Sequence, residues 1–277
     1  MGMMMARSAE FLFRDLGKGA WLRTLHFYAI IPFMKKLLYA ILLSTLLFSA
    51  TPEQVEQYLS VSYSEEQLLE LEKQFSMMQN NLSENNETSN YDMQMLPIRF
   101  REYLQKNLSE DEMDEIIKQY RNVLLMRFIS AQNDSEYDPK LAESYVKRIQ
   151  QDSDESARIE LAEKIGEALY TKDSIGILFD NLMKPLMQNS IGGAKMNEES
   201  MKKSRERYIK MMMETGKIET VYATKEFTIG ELEELRKIVK TPVMDHESKA
   251  VFGATAYALK EFFLSIASRY DLSKHQR

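Results

Sequence analysis

The run that sets a histidine between two carboxylates, a dense set of potential metal ligands, is Asp245-His246-Glu247. Adjacent residues of a helix point about 100° apart, so three in a row cannot converge on one ion without ligands from elsewhere. The helical pair of histidine ligands in H-E-x-x-H needs i, i+4 spacing, and position 250 is Ala. The run therefore reads as the polar first turn of a helix after Pro242, with acids near its N-terminus. His275 stands in the tail Ser273-Lys274-His275-Gln276-Arg277 and is expected to be solvated.

Other chemistries are cued no better. There is no Cys, which excludes thiolate catalysis and zinc–cysteine sites, and no G-x-S-x-G. Ile191-Gly192-Gly193-Ala194-Lys195 lacks the spacing and the following Ser/Thr of a phosphate-cradling loop. Paired carboxylates such as Glu233-Glu234 read as solvated helix faces, so an acid pair of the glycosidase kind is unsupported. Methionine is abundant, with 19 in the chain. Met183 and Met187, at i, i+4, have the spacing of a Cu(I) thioether pair. An adaptable core filler is the stronger reading, and a Met-rich groove for varied apolar partners stands above copper. No catalytic, cofactor-binding or metal residue is assigned, and no cofactor is expected.

The elements that would have to position any site are helical. Apolar residues recur at steps of three and four, and no segment alternates with period two. Thr51 and Pro52 have the residue types of an N-cap and first helical position, and Ser64-Glu65-Glu66-Gln67 has the form of a capping box. Ser109-Glu110-Asp111-Glu112 opens a helix with Met113, Ile116, Ile117 and Tyr120 on one face. Asp138 caps the next, with Pro139 at its start. Ile175 to Met187 is apolar enough for a central helix that Pro185 would kink or interrupt. Further helices are expected over 198–215, 217–226, 229–240 and 243–270. The predicted fold is an all-α multi-helix bundle.

Met34-Lys35-Lys36, an apolar run from Leu37 to Phe48 and then Ser49-Ala50-Thr51-Pro52 describe a secretory signal peptide over 34–50, cut after Ala50. Residues 1–33 read as an upstream extension outside the translated protein. The competing reading is an uncleaved anchor over 27–50. It would place Lys35 and Lys36 deep in the bilayer at about 2.5–3.5 kcal/mol each. Residues 1–50 hold 6 of the 36 Lys+Arg and 2 of the 42 Asp+Glu, which leaves 51–277 at a net charge of −10. An acidic, cysteine-free exported chain suits the periplasm of a Gram-negative bacterium. The charge also argues against a nucleic-acid partner and against docking on anionic lipid.

Residues Tyr103 to Lys118 align without a gap on Tyr222 to Lys237, at a constant shift of 119. Tyr, Lys, Glu, Glu and Lys are identical at 103/222, 106/225, 112/231, 115/234 and 118/237. Capping explains the Ser109/Thr228 and Glu112/Glu231 matches but not the identical Tyr and Lys upstream. An internal duplication is expected, with one helical unit over 51–135, containing a polar linker at 80–92, and a second over 136–277.

At the second copy, Tyr222, Phe227-Thr228-Ile229-Gly230-Glu231-Leu232 and Thr241-Pro242-Val243 resemble the signature of a family of short, exported, all-helical bacterial proteins of unknown function. That signature is a Tyr, then Phe-Thr-x-x-Glu-Leu, then a Ser/Thr-Pro pair. The likeness covers about 142–267. The chain departs from it at Met244, where the family has Gly, and in its first copy, which has Val123 in place of the Pro. The resemblance implies a helical exported fold and no known activity.

These readings lead to an exported helical protein with a non-catalytic binding role, its partner another envelope protein, a peptide or an apolar ligand. The alternative is a cell-envelope enzyme whose site is assembled from scattered carboxylates and tyrosines. A weaker alternative is a membrane-anchored periplasmic structural protein. Oligomeric state and ligand identity are not encoded in any motif.

Overall fold

Helix starts are written locally in this chain, and the computed structural model shows how. It describes residues 49–83, 92–133, 138–190 and 197–267. The apolar part of the leader, the Gly192-Gly193 turn, most of the 80–92 linker and His275 lie outside the described residues. At Thr51 the hydroxyl accepts from Gln54 N–H while the Gln54 side chain accepts from Thr51 N–H, and Pro52 takes the first helical position of α1 (Pro52–Val61). α2 (Ser64–Ser83) follows after a two-residue turn. Ser64 is its first residue and not its cap, so the expected box does not form. Tyr63 takes the left-handed conformation at φ 59°, and Gln67 instead donates to Asn133 Oδ1 at 2.8 Å.

α3 (Met95–Asn107) ends at Leu108, a fully buried plug. The Ser109–Glu112 capping box then opens α4 (Glu110–Tyr120), and Asn122 caps α5 (Val123–Gln132). Asp138 caps α6 (Pro139–Ile149) through Lys140 N–H. A short 3₁₀ turn leads into α7 (Ser156–Leu169). Pro185 does interrupt the expected central helix. α8 (Lys172–Leu178) passes into a π turn, Phe179–Met183, before α9 (Lys184–Asn189). Pro185 has no N–H to give Asn181, and the wider i to i+5 pattern just before it, with Lys184 N–H on Phe179 O, absorbs the defect.

α10 (Glu198–Ala223) is one helix where two were expected. Gly216, the anticipated break, stays helical and lies under the ring of Tyr170. A Cβ there would stand 2.4 Å from Tyr170 Cδ2. The Thr228–Glu231 box opens α11 (Ile229–Val239), and α12 (Pro242–Ala267) closes the described chain. α4 and α11 share the shift of 119 at both ends, as do the first residues of α5 and α12. The helices before them differ, since α10 ends at Ala223 and α3 at Asn107.

The architecture is an all-α multi-helix bundle with no strands among the described residues; a single bridge joins Ser49 to Ser109. α12 is its axis. It packs on α3 on one side and on α8, the π turn and α9 on another, while α7 lies against α10 and α11. Gly253 of α12 makes the α3 contact close: a Cβ there would meet the Tyr103 hydroxyl at 2.4 Å. Leu59, Leu104, Met113, Phe128, Ile165, Leu232 and Phe262 are all buried in one continuous core. Residues from both 51–135 and 136–277 therefore build the same interior. No described helix is long and apolar enough to cross a membrane.

Candidate functional site

Along α12, Met244, Glu247, Val251, Ala254, Ala258 and Phe262 follow one another at steps of three and four. This is the stripe that faces the core, and one member is a glutamate. Glu247 is buried, at 6% exposure. Burying an acid is costly unless it is hydrogen-bonded or neutral. The hydrogen bonds are present, and burial moves the acid towards its neutral form. Its Oε1 accepts from the Tyr58 hydroxyl of α1 at 2.5 Å and from the Tyr120 hydroxyl at the end of α4 at 2.9 Å. The two rings stand edge to face with centroids 5.7 Å apart. Burial pushes the Glu247 carboxyl above its ordinary value, and the two phenol bonds only partly oppose it. Burial, then the neighbouring Glu247 charge, pushes both phenols well above the usual tyrosine range, so they remain donors at any ordinary pH.

Glu247 and both phenols form part of the wall of a cavity of about 250 Å³. The α1–α2 turn adds Ser62 and Ser64, whose hydroxyls are 2.7 Å apart and flank the left-handed Tyr63. Backbone strain of this kind is found where a site must be held in one shape. The end of α5 adds Gln132 and Asn133, and α12 adds Ser248, Val251 and Phe252. Ser248 Oγ is engaged, donating to Leu169 O at 2.9 Å and lying 3.0 Å from Ser174 Oγ.

A second carboxyl closes the cavity from α10. Glu219 accepts from the Tyr170 hydroxyl at 3.2 Å, and its burial raises its carboxyl above the ordinary value, the phenol bond opposing. Gly216, one turn earlier on the same helix, gives Tyr170 the space to lie there. Among the described residues the cavity wall holds two carboxyls and three tyrosines, with no Lys, Arg, His or Met. The methionines lie elsewhere. Met113, Met201 and Met244 are in the core, while Met77, Met126 and Met211 are exposed.

The three neighbours Asp245, His246 and Glu247 diverge, as helix geometry requires. Asp245 pairs with Lys249 at 2.7 Å, and His246 Nδ1 meets Glu112 Oε1 at 2.7 Å. Among the described residues no three His, Asp or Glu side chains gather into a metal site. Reading Asp245 and His246 as first-turn polar residues matches their position; Glu247 is the site residue that this reading missed. The signal was its phase within an apolar stripe, together with two tyrosines on buried helix faces whose hydroxyls need partners. Compared with protein-family models, curated proteins and solved structures, the chain shows no match.

Proposed function

We propose that this is an exported, non-catalytic binding protein whose ligand is a small polar molecule held in the Glu247 cavity. The observation that carries the reading is the cavity itself, about 250 Å³ with a buried carboxyl in its wall. Concave sites with a few convergent polar groups and perturbed carboxyls are where small ligands bind. Export rests on the 34–50 segment of the sequence. The space suits a molecule of roughly ten heavy atoms, given that a cavity of about 150 Å³ takes a benzene. The test is native mass spectrometry of protein recovered from a periplasmic fraction. A polypeptide beginning at Thr51 and carrying a bound small molecule is expected, with the bound species absent from Val251→Phe, which fills the cavity. Wild type and Val251→Phe that are identical and empty would overturn the reading.

A second reading has its own support. Two carboxyls with raised pKa values in one cavity are the equipment of general acid catalysis. Under this reading Glu247 delivers a proton in an envelope hydrolase. A screen with glycan, peptide and ester substrates separates the two, since turnover abolished by Glu247→Gln favours the enzyme.

A further inference from the structure

Resting on the reading of this cavity as a ligand site, we infer that its ligand is a small organic cation, an alkyl or aryl-alkyl ammonium. Glu247 is more than nine-tenths buried, and its Oε1 takes both phenol bonds. Its Oε2 takes none, yet among the described residues no buried side-chain oxygen is left wholly enclosed without a partner, so Oε2 opens on the cavity that Glu247 lines. Glu219 reaches the same space from α10. Among the described residues nothing in the wall balances these acids. The basic side chains nearby in sequence have partners elsewhere: Lys249 pairs with Asp245 at 2.7 Å, Lys217 with Glu167 at 2.8 Å, and the His246 ring bonds Glu112. An anion entering this space would meet two acids and no base. A neutral molecule would leave the acids to be kept protonated by burial. An ammonium supplies the missing charge, and the Ser62, Ser64 and Asn133 oxygens add acceptors for its N–H groups. The apolar end of the ligand has a place against Tyr170 and Phe252, whose rings meet edge to face. Such faces also attract a cation.

The titratable groups facing Glu247 and Glu219 across the cavity are the phenols of Tyr58, Tyr120 and Tyr170, and burial keeps the first two neutral. An ammonium held against these carboxyls favours their ionised form, so below their raised pKa a bound cation displaces a carboxyl proton to solvent.

The experiment is calorimetry on the mature protein with three probes of one shape: phenethylamine, 2-phenylethanol and phenylacetate. The amine is expected to bind at least about tenfold tighter than the alcohol, and phenylacetate more weakly still. Measured from pH 4.5 upwards, amine binding is expected to release protons while pH lies below the raised carboxyl value, seen as an observed enthalpy that changes with the buffer's ionisation enthalpy. Glu219→Gln and Glu247→Gln are each expected to weaken the amine about tenfold and leave the alcohol unchanged. An alcohol that binds as well as the amine, with both variants unchanged, overturns the inference while the cavity remains a ligand site. Failure of all three probes also overturns it. The ligand-site reading falls as well only if wild type and Val251→Phe are both empty in native mass spectrometry.

Discussion

Replacing Glu247 by Gln should make the protein more stable above pH 4.5 and no more stable below it. The amide copies the protonated acid: Oε1 still accepts from Tyr58 and Tyr120, and an N–H stands where the acid carries its proton. In the wild type, burial raises this carboxyl's pKa in the fold above the ordinary 4.5, so the folded chain keeps a proton that the unfolded chain has lost. The sign follows from that difference. The stabilising contribution is complete below 4.5, the unfolded value, and is lost as pH climbs towards and through the raised folded value. Within that window each pH unit costs the wild-type fold about 1.4 kcal/mol. Glu247→Gln escapes the cost, so its advantage should grow by that slope and then level off. Glu112 and Glu231 act in the opposite direction. Burial lifts Glu112, but the Ser109 bonds and His246 outweigh it; Arg127 and Thr228 hold Glu231 down at about 2. Their contributions are lost as pH falls through the lowered values, below the window in question and equally in both proteins. Glu219, also raised, cancels in the same comparison. Urea unfolding at several pH values between about 4.5 and 7.5 reads the difference directly through the linkage slope. A variant less stable than wild type throughout, or a difference independent of pH, would refute the reasoning about burial.

Gly216→Ala drives a Cβ to 2.4, 2.6 and 2.9 Å from atoms of the Tyr170 ring, so a loss of about 1–3 kcal/mol is expected in thermal unfolding. Gly230→Ala is its control: nothing lies within 4 Å, and a gain of about 0.4–1 kcal/mol is expected. Thr228→Ala removes the cap of α11 and one holder of Glu231, at a cost of about 0.5–2 kcal/mol in denaturant unfolding; Ser109→Ala should cost a similar amount at α4. Phe262→Ala, at a position with 0% exposure in contact with Phe75 and Phe263, should cost about 3–5 kcal/mol by the same measurement.

What the sequence made legible was whatever is decided within a few residues. The caps at Thr51, Ser109, Asp138 and Thr228 bond to atoms two or three positions away, and each stands where residue types alone place it. The failures are cases where a distant partner wins. The expected break at Gly216 is filled by the Tyr170 ring. The expected box at Ser64 gives way to a left-handed Tyr63 and a Gln67 that bonds Asn133, 66 residues on. The site lies further still beyond local reading. Glu247 is separated from Tyr58 by 189 residues and from Tyr120 by 127. No spacing rule spans such distances, although a glutamate in phase with an apolar stripe marks where one end of the contact must lie.

That stripe also bears on why the acid is there at all. An apolar residue at position 247 would continue the face made by Met244, Val251 and Ala254, and would need no hydrogen bonds. Glu247 costs the fold stability at neutral pH, by the sign worked out above, and it obliges two large buried tyrosines to aim their hydroxyls at one oxygen. Packing alone gives no reason for this arrangement. The same holds across the cavity, where Glu219 is drawn from solvent and Tyr170 needs a glycine beneath it to reach the carboxyl. Two acids held against their own solvation, with a cavity rather than a base between them, are relieved in part by their phenol bonds, and under the inference above a cation entering the cavity offsets the rest. Glu247→Gln should therefore gain stability above pH 4.5 and lose ammonium binding, two opposite effects of one substitution.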